Sequence, residues 1–79
     1  MIIKKIDKDN FKVIIDSNKF KVNLDDDYWQ KLTKGKISKE KLIEASFKFL
    51  LEREPISAIL SEFNLKLIQK YFPEFEEKV

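Results

Sequence analysis

What most constrains this chain is an alternation of apolar and polar residues running through positions 11–24. Phe11, Val13 and Ile15 alternate with Lys12, Ile14 and Asp16, and Phe20, Val22 and Leu24 alternate with Lys19, Lys21 and Asn23. A period of two sends successive side chains to opposite faces of a strand, so the pattern predicts two half-buried β-strands. Ser17-Asn18 between them suits a two-residue hairpin turn, because Asn tolerates positive φ. That turn sets Asp16 opposite Lys19, Ile15 opposite Phe20, Val13 opposite Val22 and Phe11 opposite Leu24. The apolar side chains of these pairs then share one face, Asp16 and Lys19 close the hairpin as an opposite-charge pair, and Ile14 stands alone on the other face. A slip of one residue would turn the apolar set to water. Met1–Ile6 is the expected third strand, joined through Asp7-Lys8-Asp9-Asn10. Ile2 and Ile6 share a face and Ile3 takes the other, which leaves its register open.

After Leu24 the period lengthens. Asp25-Asp26-Asp27 ends the sheet and opens a short helix over 26–32, where acidic residues suit the positive end of the helix dipole. Gly35, the only glycine, fits the helix end or the loop after it. Ser38 is a good N-cap for a helix over 39–53, in which Leu42, Ile43, Ser46, Phe47, Phe49, Leu50 and Leu51 form a wide, mostly apolar face typical of a central helix. Pro55 cannot continue that helix but suits the first turn of another over 55–63, where Ile56, Ile59, Leu60 and Phe63 repeat at helical spacing. Asn64 is the expected cap of a last helix over 65–72, stopped by Pro73, with residues 74–79 fraying. The expected fold class is α+β: one domain over 1–79, in which a three-stranded antiparallel meander (about 1–24) packs against three to four short helices (26–32, 39–53, 55–63, 65–72).

Composition narrows the function. The chain has no histidine and no cysteine, which removes disulfides, Cys-based metal sites and the usual acid–base and thiol chemistry. One glycine cannot build a phosphate-cradling loop. Ser46 beside Lys48 or Lys70 is a conceivable dyad, but no neighbour in sequence activates it. Asp25-Asp26-Asp27 lacks the spacing of a calcium loop, so helix-start electrostatics explains it better. The expectation is therefore a non-enzyme with no cofactor and no metal. The longest uninterrupted apolar runs, such as Val13–Ile15 and Phe49–Leu51, are far short of a spanning helix, and Lys4 and Lys5 interrupt the N-terminal stretch. A soluble, cytoplasmic protein without membrane association is expected.

With 43% hydrophobic residues, ten of the side chains aromatic, a small chain has limited room to hide its apolar surface. A protein-interaction module, with an unidentified protein partner or a second copy of itself, is the leading reading. Its expected contact residues are Arg53, between two acids at a helix joint; Tyr71 and Phe75, beside the acidic tail; and Trp29, a core anchor or a contact. The alternative is a weak nucleic-acid binder. Residues 1–41 hold eleven lysines against seven acids, a net of +4, against −2 for the remainder. Lys12, Lys19 and Lys21 lie on the sheet face opposite the apolar set, where they could touch phosphate but offer no aromatic platform for bases. A helix-turn-helix over 55–72 is the other route, with Lys66, Gln69 and Lys70 as its only polar readers.

The run Phe47-Lys48-Phe49-Leu50-Leu51-Glu52-Arg53-Glu54-Pro55, followed by Ile59-Leu60, Phe63-Asn64-Leu65, Ile68 and Tyr71-Phe72-Pro73-Glu74-Phe75-Glu76, resembles a family of small uncharacterised bacterial proteins. In that family a strand-rich start precedes an "FEFLLEREP…YFPEYE"-like half. The likeness covers roughly residues 11–76, with Phe75 where tyrosine is expected and Asn64 where aspartate also occurs. It implies a bacterial origin and brings no activity, cofactor or partner with it.

Overall fold

The alternating segment folds as a hairpin, β2 (Asn10–Ile15) and β3 (Asn18–Asn23), in a computed structural model that describes residues 1–79. The turn is Asp16-Ser17 rather than Ser17-Asn18, with Asp16 in the left-handed region at φ 55°. Aspartate tolerates that region for the same reason asparagine does: its short polar side chain can bond locally. The register is Phe11 opposite Val22, Lys12 opposite Lys21 and Val13 opposite Phe20. It differs from the expected one by two residues, which preserves side-chain parity. Phe11, Val13, Phe20, Val22 and Leu24 accordingly all face the core and are buried. The expected Asp16–Lys19 pair does not form, because Lys19 stands opposite Ile14.

β1 (Ile2–Lys5) completes the antiparallel meander, with Ile3 opposite Val13 and Ile2 opposite Ile14. Ile3 thus takes the core face, and Ile14 gains an apolar neighbour on the outer one. The connection to β2 is fastened by Asp7, whose carboxylate accepts from the backbone amides of Asp9 and Asn10 and from the Asn10 side chain.

The main departure from expectation lies after Pro55. Residues 55–63 do not form a helix. Ile56–Ala58 make one 3-10 turn, and Glu62–Asn64 enter the sheet as β4, parallel to β3, giving the strand order β1-β2-β3-β4. Ile56, Ile59, Leu60 and Phe63 match a helical period, but the meander leaves the backbone groups of β3 unpaired on one side, and such groups need partners. β4 supplies them: Lys21 donates to the Ser61 carbonyl at 2.7 Å and Leu65 to the Asn23 carbonyl at 2.9 Å. Phe63 packs 6.0 Å from Phe47, ring to ring. With no helix before Asn64, the helix-turn-helix over 55–72 does not exist.

Two helices follow the sequence closely. α1 (Asp26–Thr33) is capped by Asp25, which accepts from the Tyr28 amide at 2.8 Å, and it ends where Lys34 and Gly35 take positive φ. α2 (Lys39–Leu51) is capped by Ser38 and buries Leu42, Ile43, Ser46, Phe47, Phe49 and Leu50. It stops two residues short of the expected 53. Ser46 donates to the Leu42 carbonyl at 2.7 Å inside the helix, so its hydroxyl is occupied structurally. α3 is only Leu67–Tyr71. The tail does not fray: Phe75–Lys78 form α4, with Phe75 fully buried 5.2 Å from Phe49. All these apolar side chains belong to one core of 15 buried residues.

Asp26 clasps the sheet end to the helices. Its carboxylate meets Lys39 at 2.7 Å and Lys8 at 2.8 Å, and Lys39 also reaches Asp9 at 3.1 Å. Hydrogen bonds from Lys39 and then Lys8 hold the Asp26 carboxyl down at about 2. No group of His, Cys, Asp or Glu side chains gathers as a metal site requires.

Candidate functional site

Because β4 lies at the sheet edge and α3 follows it within a few residues, the chain leaves a furrow between them and the end of α2. Leu50, Ile59 and Ile68 form its buried floor. Phe63, Leu67 and Phe72 are half-buried along it, and Leu60 and Tyr71 stand at the rim, 53% and 66% exposed. The groove has a volume of about 430 Å³, and Glu54 is the one charged residue lining it. A cleft of this size and apolarity is of the kind that takes apolar side chains or small ligands. Neither Glu54 nor Glu62, exposed on β4, makes an ion pair within 4.0 Å.

The residues singled out from sequence are dispersed by the fold. Tyr71 lies on the groove. Phe75 does not: it is 0% exposed, because the chain after Pro73 turns back and α4 plugs the core under α2. It is a core residue, not a contact residue. Arg53 does not line the groove and is engaged elsewhere. Its guanidinium lies 3.6 Å from the centroid of the Phe49 ring, its Nε meets Glu74 at 3.2 Å, and its Nη1 donates to the Phe49 carbonyl at 3.1 Å. The Glu74 backbone amide, and next the Arg53 guanidinium, hold the Glu74 carboxyl below its usual range. Arg53 therefore staples the tail to α2, with Glu74 as a closer partner than Glu52 at 3.6 Å. Trp29 is half-buried against the core, and its indole donates to the Ile37 carbonyl at 2.7 Å, closing the loop between α1 and α2.

Lys12, Lys19 and Lys21 are exposed on the outer sheet face, away from the groove. The fold adds Lys4, which stands opposite Lys12. Beside them runs a row of amides: Asn64 donates to Asn23 at 2.6 Å, and Asn23 donates to Asn10 at 3.3 Å.

Leu60, Phe63, Leu67 and Glu54 are not legible as site residues from sequence: a helical reading of 55–63 puts Leu60 and Phe63 in a core stripe, and Leu67 and Glu54 belong to no pattern. No family model, curated protein or solved structure matches this chain. No helix is long and apolar enough to cross a membrane.

Proposed function

We propose that the chain is a non-enzymatic protein-interaction module that takes an extended segment of a partner protein along β4, with its apolar side chains in the groove. The groove is the observation that carries this reading. Beside it β4 is an edge strand, and an added strand would gain backbone hydrogen bonds there while alternate side chains enter the cleft. Charge complementarity defines the segment further. With Glu54 and Glu62 free of ion pairs, the best-fitting sequence carries one large apolar residue and a nearby Lys or Arg. A binding role is preferred to catalysis because the chain has no His or Cys. We assign it to the cytoplasm, on the short, lysine-interrupted apolar runs of the sequence; the lack of cysteine is compatible with that compartment without selecting it.

Selection from a displayed random-peptide library, followed by amide chemical-shift mapping, tests the proposal. Enriched peptides should pair an aliphatic or aromatic residue with Lys or Arg, and should shift the amides of Leu60, Phe63, Leu67 and Tyr71. Leu60→Glu and Tyr71→Ala should each weaken binding about tenfold or more, a loss of roughly 1.4 kcal/mol, without lowering the thermal midpoint. Peptides that bind Leu60→Glu as well as the parent would remove the groove from consideration. Sedimentation over a wide concentration range covers the remaining occupant: a dimer lost on Leu60→Glu would make that occupant a second copy of this chain.

A further inference from the structure

On the outer face of the sheet, Lys4, Lys12 and Lys21 stand directly opposite one another on β1, β2 and β3, in one row across the strands. Strands lie about 4.8 Å apart, so three like charges are carried across roughly 10 Å. Lys19, two residues from Lys21 on β3, projects from the same face. None of the four has an acidic partner within 4.0 Å, although the row ends at Glu62 on β4, beside Lys21. Like charges placed directly opposite each other destabilise a sheet. Glu62 and the Asp7 carboxylate offset this repulsion only at the Lys21 end of the row, and a polyanion laid across the strands would relieve the rest.

We propose that this face binds the phosphate backbone of double-stranded nucleic acid, without reading base sequence, through Lys4, Lys12, Lys19 and Lys21. The face has no aromatic side chain, so unstacked bases would find no platform, and contact is limited to phosphates. Asn10, Asn23 and Asn64, the nearest groups that could read base edges, already bond to one another. Among the apolar side chains of this face Ile2 is exposed and Ile14 half-buried, too little apolar surface for insertion into a bilayer. A duplex, with one charge per about 1.7 Å of axis, supplies the densest match to a short row of ammonium groups.

The test is fluorescence anisotropy with a labelled random-sequence DNA duplex. Each phosphate contact contributes a slope of about −0.9 to log K against log salt, so four contacts should give about −3.6 and an affinity loss of about 150-fold between 50 and 200 mM salt. Lys12→Gln, at the centre of the row, should reduce the slope by about one contact and weaken binding. The same substitution should raise the thermal midpoint, because it removes a repulsion on each side. Weaker binding in a more stable protein cannot be explained by unfolding. Glu62→Gln should leave the fold intact and strengthen binding. Absence of duplex binding at low salt overturns the proposal, as does retention on anionic vesicles or polyglutamate without retention on the duplex. A Lys12→Gln protein that binds with unchanged slope also overturns it.

Discussion

Tyr71 and Phe75 are four positions apart and do opposite work. Tyr71 stands 66% exposed at the groove rim, while Phe75 is fully enclosed and meets Phe49 edge to face. Phe75→Ala should cost about 3–5 kcal/mol, the usual penalty for emptying an aromatic site that cannot collapse. Tyr71→Ala should stay within about 0.5 kcal/mol of the parent, as exposed substitutions do. Chemical denaturation of both variants measures the contrast, and equal losses would contradict the burial described for them. The sequence offered little warning about Phe75, because it lies beyond Pro73 where no periodic pattern continues. The hairpin register shows a different kind of ambiguity. Alternation fixes which face each side chain takes, but registers that differ by two residues bury the same set. What separates them is local chemistry: a positive φ at Asp16 and the amide row through Asn10, Asn23 and Asn64.

Among the elements, α1 and α2 were readable because their determinants are local. Asp25 and Ser38 cap them, and Gly35 lies in the turn that ends the first. β4 was not readable, since its partner Val22 lies 41 positions before Phe63 and a three-residue strand carries no period of its own. The groove shared that fate, because it exists only once β4 has displaced a helix, and Lys4 joined the lysine row only once β1 had a register. The clasp between α1, α2 and the β1–β2 connection should show in the acid response. Asp26 has its folded-state carboxyl depressed to about 2, so its contribution is complete above the ordinary aspartate range near 4 and is lost as pH falls toward 2. Asp26→Asn should flatten that part of the stability–pH curve, measured by thermal melts at several pH values. At the other extreme, burial and then the hydrogen bond to Glu76 push the Tyr28 phenol up. Stability held below pH 10 should therefore decline as pH rises above it, and Tyr28→Phe should remove that decline.

Across all 79 residues the protein is a slab, 31 × 28 × 16 Å, with the groove opening beside the helices and the lysine row on the bare side of the sheet. The two sites lie on different faces but share Glu62, beside Lys21, so each proposal is tested without the other's ligand present. β4 also has a consequence in time. Closing Val13 onto Phe20 spans 7 positions, whereas closing Val22 onto Phe63 spans 41, an added chain-entropy cost of about 1.5 kcal/mol. The hairpin can form early, on the order of microseconds, while the last strand must wait for α1 and α2 to bring it home. Run backwards, the same order makes β4 and α3 the first part to open. Amide exchange should be faster at Phe63 and Ile68 than at Val13 and Val22, and the strand that borders the groove would then be the one with the freedom to admit a newcomer.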